Sequence, residues 1–225
     1  MNCKILLTTL ALLAGLWPGA AAGQVSPEAV MTRVQTQYEK AGGFQARFRQ
    51  ESRLKAAGAS DSAVGWMYFK KPSRMRWQYE TPPDQKKEIV SDGRLVWMYM
   101  PADGIVMVYK LEQVLRSDLV MRFFSGIGQF QKDFTISWQR PPREGASFII
   151  DLVPKKEQPE LKRLTLTVNP DTYLVEKLDF TNALGEESLF TFTQVKLEVP
   201  SAPNFFTFTP PPGVQVVRET GGAKP

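Results

Sequence analysis

The chain has 225 residues, a formal net charge of +5 and no histidine, and its one cysteine is Cys3. Intramolecular disulfides, Cys/His zinc sites and histidine-based triads are therefore excluded, and we expect no metal or other cofactor. The charges are scattered among carboxylates, which is typical of a solvated surface or of one that meets lipid headgroups or an acidic partner. We expect no nucleic acid as a partner.

The N-terminus has the pattern of a secretory signal peptide. Lys4 precedes an apolar run over residues 5–17, and the small residues Ala20 to Ala22 follow it. The run is too short to span a bilayer comfortably. Cys3 stands before the run, whereas the cysteine of a lipoprotein would have to follow it. The sequence therefore predicts cleavage after residue 22, export, and a mature chain, residues 23–225, that forms one domain.

A helix begins the predicted mature chain, and strands follow it. Ser26 is an N-cap followed by a proline, and Val30, Val34 and Tyr38 recur at helical spacing. From Phe44 onward, apolar and polar residues alternate with a period of two, as in half-buried strands. The stretch "SDG" at 91–93 predicts a tight hairpin.

A second helical segment interrupts the strands around "LEQVLRSDLVMRFFSGIG", where apolar residues do not alternate. Strands resume with "DFTISWQ", and the turn clusters "NPDT" and "NALGE" separate the last three of them. The tail "APNFFTFTPPPGVQVV" is rich in proline and ends in a short extended piece. About eleven strands at this regular spacing predict a mainly β sandwich or barrel.

Nothing in the sequence favours an enzyme. There is no G-x-S-x-G or S-x-x-K arrangement, no phosphate-binding loop and no EF-hand spacing. Asp92 and Asp103 stand in predicted turns, where aspartate is the usual structural choice, so a glycosidase pair is disfavoured.

The strands are rich in methionine and aromatic residues. In "RMRWQY" the side chains of Met75, Trp77 and Tyr79 share one face, opposite Arg74 and Arg76, which we expect to face water. Such residues commonly fill a core. They also form adaptable walls where ligands vary, and half-barrels of this size can hold a ligand cavity.

Several motifs, in order, resemble those of the periplasmic outer-membrane lipoprotein carriers of the LolA type. They are a Lys-Pro pair, an R-W-x-Y strand, the stretch from Val90 to Pro101, and an F-x-F-x-P-P-x-G-V tail at 206–214; an early F-x-A-x-F-x-Q stands at 44–50. The resemblance covers essentially the whole predicted mature chain.

The resemblance implies a fold, a task and partners. The fold is an incomplete, unclosed antiparallel β-barrel of about eleven strands that is covered by a lid of short α-helices. The task is to take acylated lipoproteins from an inner-membrane ABC-type lipoprotein-releasing complex and to carry them through the periplasm to an outer-membrane acceptor lipoprotein. Such a carrier is a soluble periplasmic monomer without enzymatic activity.

The resemblance also implies site residues. An arginine that precedes the proline in known members binds carbonyl groups of the lid, and Lys71 occupies that position here, so we expect a looser latch. The predicted wall of the lipid-binding cavity comprises Trp66, Tyr68, Met75, Trp77, Tyr79, Ile89, Trp97 and Tyr99. The predicted lid comprises Val30, Val34, Tyr38, Val120, Met121, Phe123, Phe124 and Ile127.

Two alternatives remain open at this point. A related half-barrel could carry another lipid or amphiphile, because the wall residues would look the same. A periplasmic sensor or regulatory domain could use the same fold to bind a signalling partner. An oligonucleotide-binding barrel is disfavoured by export and by the dispersed charge.

Overall fold

The computed structural model describes residues 25–54, 58–117, 123–124, 130–159 and 161–218. The predicted signal peptide and the lid residues Val120, Met121 and Ile127 lie outside these ranges. The helices are α1 (Pro27–Ala41), α2 (Leu111–Ser117) and α3 (Phe130–Asp133), and a short 3-10 helix spans Pro83–Gln85. None of the helices in the described ranges has the length and apolar character needed to cross a membrane.

Twelve strands form one sheet. They are β1 (Gly43–Leu54), β2 (Ala59–Lys70), β3 (Arg74–Thr81), β4 (Lys87–Asp92), β5 (Leu95–Met100), β6 (Ile105–Lys110), β7 (Phe134–Trp138), β8 (Phe148–Pro154), β9 (Arg163–Val168), β10 (Val175–Thr181), β11 (Glu187–Lys196) and β12 (Gln215–Arg218). Their order is β12-β6-β5-β4-β3-β2-β1-β11-β10-β9-β8-β7, so β12 and β7 are the two edges and the sheet does not close. The predicted mainly β, unclosed fold is confirmed.

The count of strands differs from the sequence prediction by one. The short extended piece at the C-terminus forms β12, which pairs with β6 in parallel, whereas every other pair of neighbouring strands is antiparallel. A parallel neighbour needs a long connection, and the chain from β7 to the proline-rich tail provides it. The parallel β12 thus extends the predicted antiparallel sheet at this edge.

Local signals in the sequence set the ends of α1. The Ser26 Oγ accepts a hydrogen bond from the Ala29 N–H at 3.1 Å, and Pro27 occupies the first helical turn. Gly42, with φ of 69°, ends the helix in the left-handed region that glycine favours. The helix buries Val30, Met31 and Val34 against the sheet.

The strand register divides the sheet into two faces. We call inner the face that packs against α1, and in β1 it carries Phe44, Ala46 and Phe48. Met67 of β2 lies opposite Trp77, which lies opposite Ile89, so all three belong to the inner face. The main hydrophobic core lies between this inner face and the helices.

Candidate functional site

The inner face of β1 to β4 is a continuous aromatic and methionine wall. Met75, Trp77 and Ile89 are at most 6% exposed, and Tyr79 is half-buried beside them. The Trp77 ring centroid lies 5.2 Å from that of Phe48 and 6.1 Å from that of Phe190. The structure therefore brings four of the eight predicted wall residues together on the face that α1 covers.

The other four predicted wall residues lie on the opposite, outer face. Trp66 pairs with Gln78, and Tyr68 pairs with Arg76, whose neighbour across the sheet is Val90. In β5, Trp97 lies opposite Val90, and Tyr99 lies opposite Glu88. Because side chains directly opposite each other share a face, the expectation that Trp66, Tyr68, Trp97 and Tyr99 line the same cavity as Trp77 is wrong.

The C-terminal segment covers this outer face. The Phe205 ring packs edge-on against Tyr68 at 4.8 Å, and the Phe208 ring lies 5.8 Å from Tyr99. The Arg76 guanidinium lies 5.1 Å from the Phe205 ring centroid, donates to the Phe205 carbonyl at 2.7 Å and pairs with Glu88 at 2.6 Å. The expectation that Arg76 faces water is thus corrected, whereas Arg74 is exposed.

Sequence reasoning left several inner-wall residues out of the site. Phe44, Phe48, Met67, Phe190 and Phe192 are all at most 6% exposed and belong to the same core as Trp77. Their alternation with polar residues in β1 and β11 was a usable signal. The register that places β11 beside β1, far apart in the chain, was not available from the sequence.

The described lid residues lie over this wall. Val30, Val34 and Phe124 are buried, and Phe123 is half-buried. The Phe124 ring lies 4.7 Å from Phe44 and 5.5 Å from Phe192, so it bridges two inner-face strands. A pocket of about 30 Å³, close to the volume of one water molecule, lies at the edge of α1. Its lining includes Val34, Tyr38, Lys71, Phe123, Phe124 and Phe130. Phe124 therefore packs directly on the wall.

Polar contacts hold α1 at the turn between β9 and β10. The Val175 N–H donates to the Tyr38 hydroxyl at 3.1 Å, and the Gln37 side chain donates to the Thr172 carbonyl at 3.0 Å. The Arg33 guanidinium donates to the Tyr173 hydroxyl and lies over its ring. These contacts anchor one long side of the helix to the sheet.

Lys71 contacts the C-terminal end of α1. Its Nζ donates to the backbone carbonyl of Glu39 in the last turn of the helix, and its N–H donates to the Gly42 carbonyl at 2.9 Å. A cation at this position suits the unpaired carbonyls and the negative dipole end of the helix C-terminus. The lysine expected at the latch position therefore does bind a lid carbonyl, through one ammonium group rather than a planar fork.

Burial raises the pKa of the Tyr38 hydroxyl far above its ordinary value, and the hydrogen bond from the Val175 N–H opposes this with a smaller effect. Because the folded pKa is raised, the stability linked to this proton is complete below the unfolded pKa near 10 and is lost as the pH rises above it. We expect the free energy of unfolding to gain a downward slope of about 1.4 kcal/mol per pH unit there.

A Tyr38→Phe variant should lose that slope. At neutral pH it should be less stable by about 1–2 kcal/mol, because the Val175 N–H loses its acceptor. Urea titrations at several pH values between 8 and 11 would measure both effects, and the two stability curves should approach each other as the pH rises. Parallel curves would contradict this role for Tyr38.

Comparisons with known proteins agree with this architecture. The model of the family described as "Outer membrane lipoprotein carrier protein LolA" matches residues 39–209. The outer-membrane lipoprotein carrier protein of Nitrosomonas europaea is 28% identical over 186 residues, which cover 83% of this chain and 87% of the relative. That of Pseudomonas aeruginosa strain UCBPP-PA14 is 27% identical over 207 residues, which cover 92% and 96%.

A solved structure shares the fold. The crystal structure of an uncharacterized conserved protein from Thermus thermophilus superposes with a TM-score of 0.55 at 13% sequence identity, covering 85% of this chain and 98% of that one. The family match extends over well over half of the chain. The chain therefore belongs to the LolA family of outer membrane lipoprotein carrier proteins.

Proposed function

We propose that this protein is a periplasmic carrier that binds the acyl chains of lipoproteins between the inner face of the sheet and the lid. It takes its cargo from an inner-membrane ABC-type lipoprotein-releasing complex and delivers it to an outer-membrane acceptor lipoprotein. Relatives named outer-membrane lipoprotein carrier proteins support the class of cargo. The observation that carries the proposal is the inner wall of methionine and aromatic side chains, closed by apolar helical residues.

The chemistry of the wall suits this task. Each buried methylene of an acyl chain is worth about 0.8 kcal/mol, so an acylated protein needs a dry apolar seat while it crosses water. Met67 and Met75 are flexible and polarizable, and flanking rings such as Trp77 present broad apolar faces. A wall of this kind accepts chains of different length and releases them, which a tightly shaped pocket does not.

Loading beside Phe123 and Phe124 requires these two rings to move. The pocket of about 30 Å³ that they line is far too small for an acyl chain. The Phe124 ring lies on the Phe44 and Phe192 rings, where a bound acyl chain would lie, and the Phe123 ring packs against Phe124. We therefore propose that acyl chains replace these two rings on the wall, and that α1, anchored at the β9–β10 turn, stays in place.

Native mass spectrometry of the protein purified from a periplasmic extract tests the proposal. We expect an adduct with the mass of an acylated lipoprotein. We expect Tyr79→Glu to abolish it, because a carboxylate on the inner wall would lose its hydration under the acyl chains. Leu184→Glu is the matched control, since Leu184 is 79% exposed in the β10–β11 hairpin. An adduct of free lipid alone would support the amphiphile carrier instead, and no adduct even after incubation with a purified acylated lipoprotein would reject both.

The Lys71 contact predicts a change in lid closure. Lys71→Met keeps most of the stem but removes the donor to the Glu39 carbonyl, so we expect a loss of about 1 kcal/mol of stability and stronger fluorescence of an apolar dye such as ANS. Lys71→Arg should keep the contact and the low dye signal. Lys70→Met is the control, because Lys70 is the exposed neighbour of Lys71 at the end of β2. Equal dye binding by both methionine variants would argue against a latch.

A further inference from the structure

Four exposed cations lie in a row at one end of the sheet. Lys70 at the end of β2 pairs with Arg74 at the start of β3, and Lys110 at the end of β6 pairs with Leu95, which directly follows Arg94. We call Lys70, Arg74, Arg94 and Lys110 the basic rim. With a strand spacing of about 4.8 Å, the four steps from β2 to β6 make the rim roughly 19 Å long.

The charge of the basic rim is only partly balanced, because its four cations outnumber the two carboxylates beside them, Asp92 and Glu112. None of its four cations takes part in an ion pair within the described part of the chain, whereas Arg47, Arg49 and Arg76 elsewhere in the sheet each pair with a glutamate. Asp92, which lies opposite Arg74, uses its Oδ1 to accept the Arg94 and Leu95 N–H groups at 2.7 and 2.9 Å. The rim is therefore a cluster of solvated positive charge.

A groove with a mixed polar and apolar lining opens beside Arg94 and Lys110 of the basic rim. It has a volume of about 750 Å³, and Leu95, Leu111 and Leu115 contribute its apolar lining beside Arg94 and Lys110. Asp92 and Glu112 are the two acidic residues of the groove. The three leucines offer contact to glycerol and acyl carbons, and Arg94 and Lys110 offer contact to the phosphate of a headgroup.

The opposite end of the same strands has a different character. Asp84 and Lys86 lie exposed between β3 and β4, and Asp103 lies exposed between β5 and β6. These exposed groups carry one positive and two negative charges, whereas four cations outnumber Asp92 and Glu112 at the basic rim. The protein is thus electrically polarised along its strands, with the basic rim at one end.

We propose that the basic rim docks the protein on the surface of a membrane that contains anionic phospholipids. The four cations come from separate strand ends and are exposed, and no buried arginine fork is present among them to recognise one carboxylate. Such a spread of charge suits a fluid layer of interchangeable phosphates better than a fixed acidic protein surface. This inference goes beyond the proposed carrier function, because docking on a bilayer requires no acylated cargo.

Flotation with lipid vesicles tests the proposal on the protein purified from the periplasm. We expect binding to vesicles of 70% phosphatidylethanolamine and 30% phosphatidylglycerol in about 50 mM salt, no binding to pure phosphatidylcholine, and release in about 500 mM salt. Each lysine near an anionic surface contributes roughly fivefold in affinity. The double variant K70Q/K110Q should therefore bind about 30-fold more weakly.

The matched control lowers the net charge by the same two units, but at positions outside the basic rim. K86Q/K156Q neutralises two exposed lysines outside the rim and should weaken binding less than threefold. Equal loss in both double variants would show that net charge alone acts and would overturn the docking site. Binding to phosphatidylcholine as well would overturn the electrostatic mechanism. Absence of vesicle binding together with rim-dependent binding to polyglutamate would overturn the lipid assignment in favour of an acidic polypeptide. Native mass spectra of K70Q/K110Q should still show the lipoprotein adduct, because docking and cargo binding use different residues.

Discussion

Trp77→Ala should lower the free energy of unfolding by about 3–5 kcal/mol, and the midpoint of thermal unfolding by roughly 10 °C. The side chain is 4% exposed, and its ring contacts Phe48, Tyr79 and Phe190 from three different strands. Its removal leaves a cavity that these rings fill only in part. Urea and thermal unfolding followed by far-UV circular dichroism would measure the loss without depending on tryptophan emission.

Trp66→Ala is the control for this prediction, since Trp66 lies on the neighbouring strand but on the outer face. It is half-buried, stacks on Tyr68 at 6.2 Å and lies 5.7 Å from the Arg47 guanidinium. We expect a loss below about 2 kcal/mol and an unchanged yield of lipoprotein adduct. If both variants lost the same stability and the same cargo, the division into inner and outer faces would be wrong as a guide to function.

Gly65→Ala should lower the free energy of unfolding by more than the addition of one methyl group suggests. A Cβ at this position would lie 2.0 Å from the backbone carbonyl oxygen of Gln78 and 2.9 Å from the Phe48 ring. The register between β2 and β3 shifts here, so the two backbones approach closely opposite a bulge at Glu80. Relief of the clash requires the strands to separate, and we expect a loss of about 3 kcal/mol or more.

Val64→Ala tests whether the effect is specific to the close approach. Val64 is the neighbouring residue and is half-buried on the outer face, so its truncation should cost only about 1 kcal/mol. Chemical unfolding of the two variants beside the wild-type chain would decide the question. A Gly65→Ala variant as stable as Val64→Ala would contradict the packing described for this bulge.

The alternation of residues predicted the faces correctly where one side of a strand is polar. In β3, arginine and glutamine separate Met75, Trp77 and Tyr79, and the wall was found from this pattern. In β5, the run from Val96 to Tyr99 is apolar without a break. A continuous apolar run indicates that both faces of a strand are covered, and it does not show which side chains face the helices.

The sequence shows the aromatic residues that cover the outer face, but it does not show where in the fold they pack. Phe205, Phe206 and Phe208 stand in a proline-rich tail, and only the parallel pairing of β12 with β6 places them on the outer face. Pairings between residues about 110 positions apart cannot be inferred from local periodicity. The contact of Lys71 with α1, by contrast, followed from its place in a motif.

The two edges of the sheet, β7 and β12, are not joined by hydrogen bonds. In a closed barrel the number of strands and their shear fix the circumference, and the enclosed volume is constant. Here the edges β7 and β12 are unpaired with each other, so the sheet can change its curvature by small changes of twist between neighbouring strands. The volume enclosed by the twelve strands can therefore increase or decrease while all hydrogen bonds between neighbouring strands are kept.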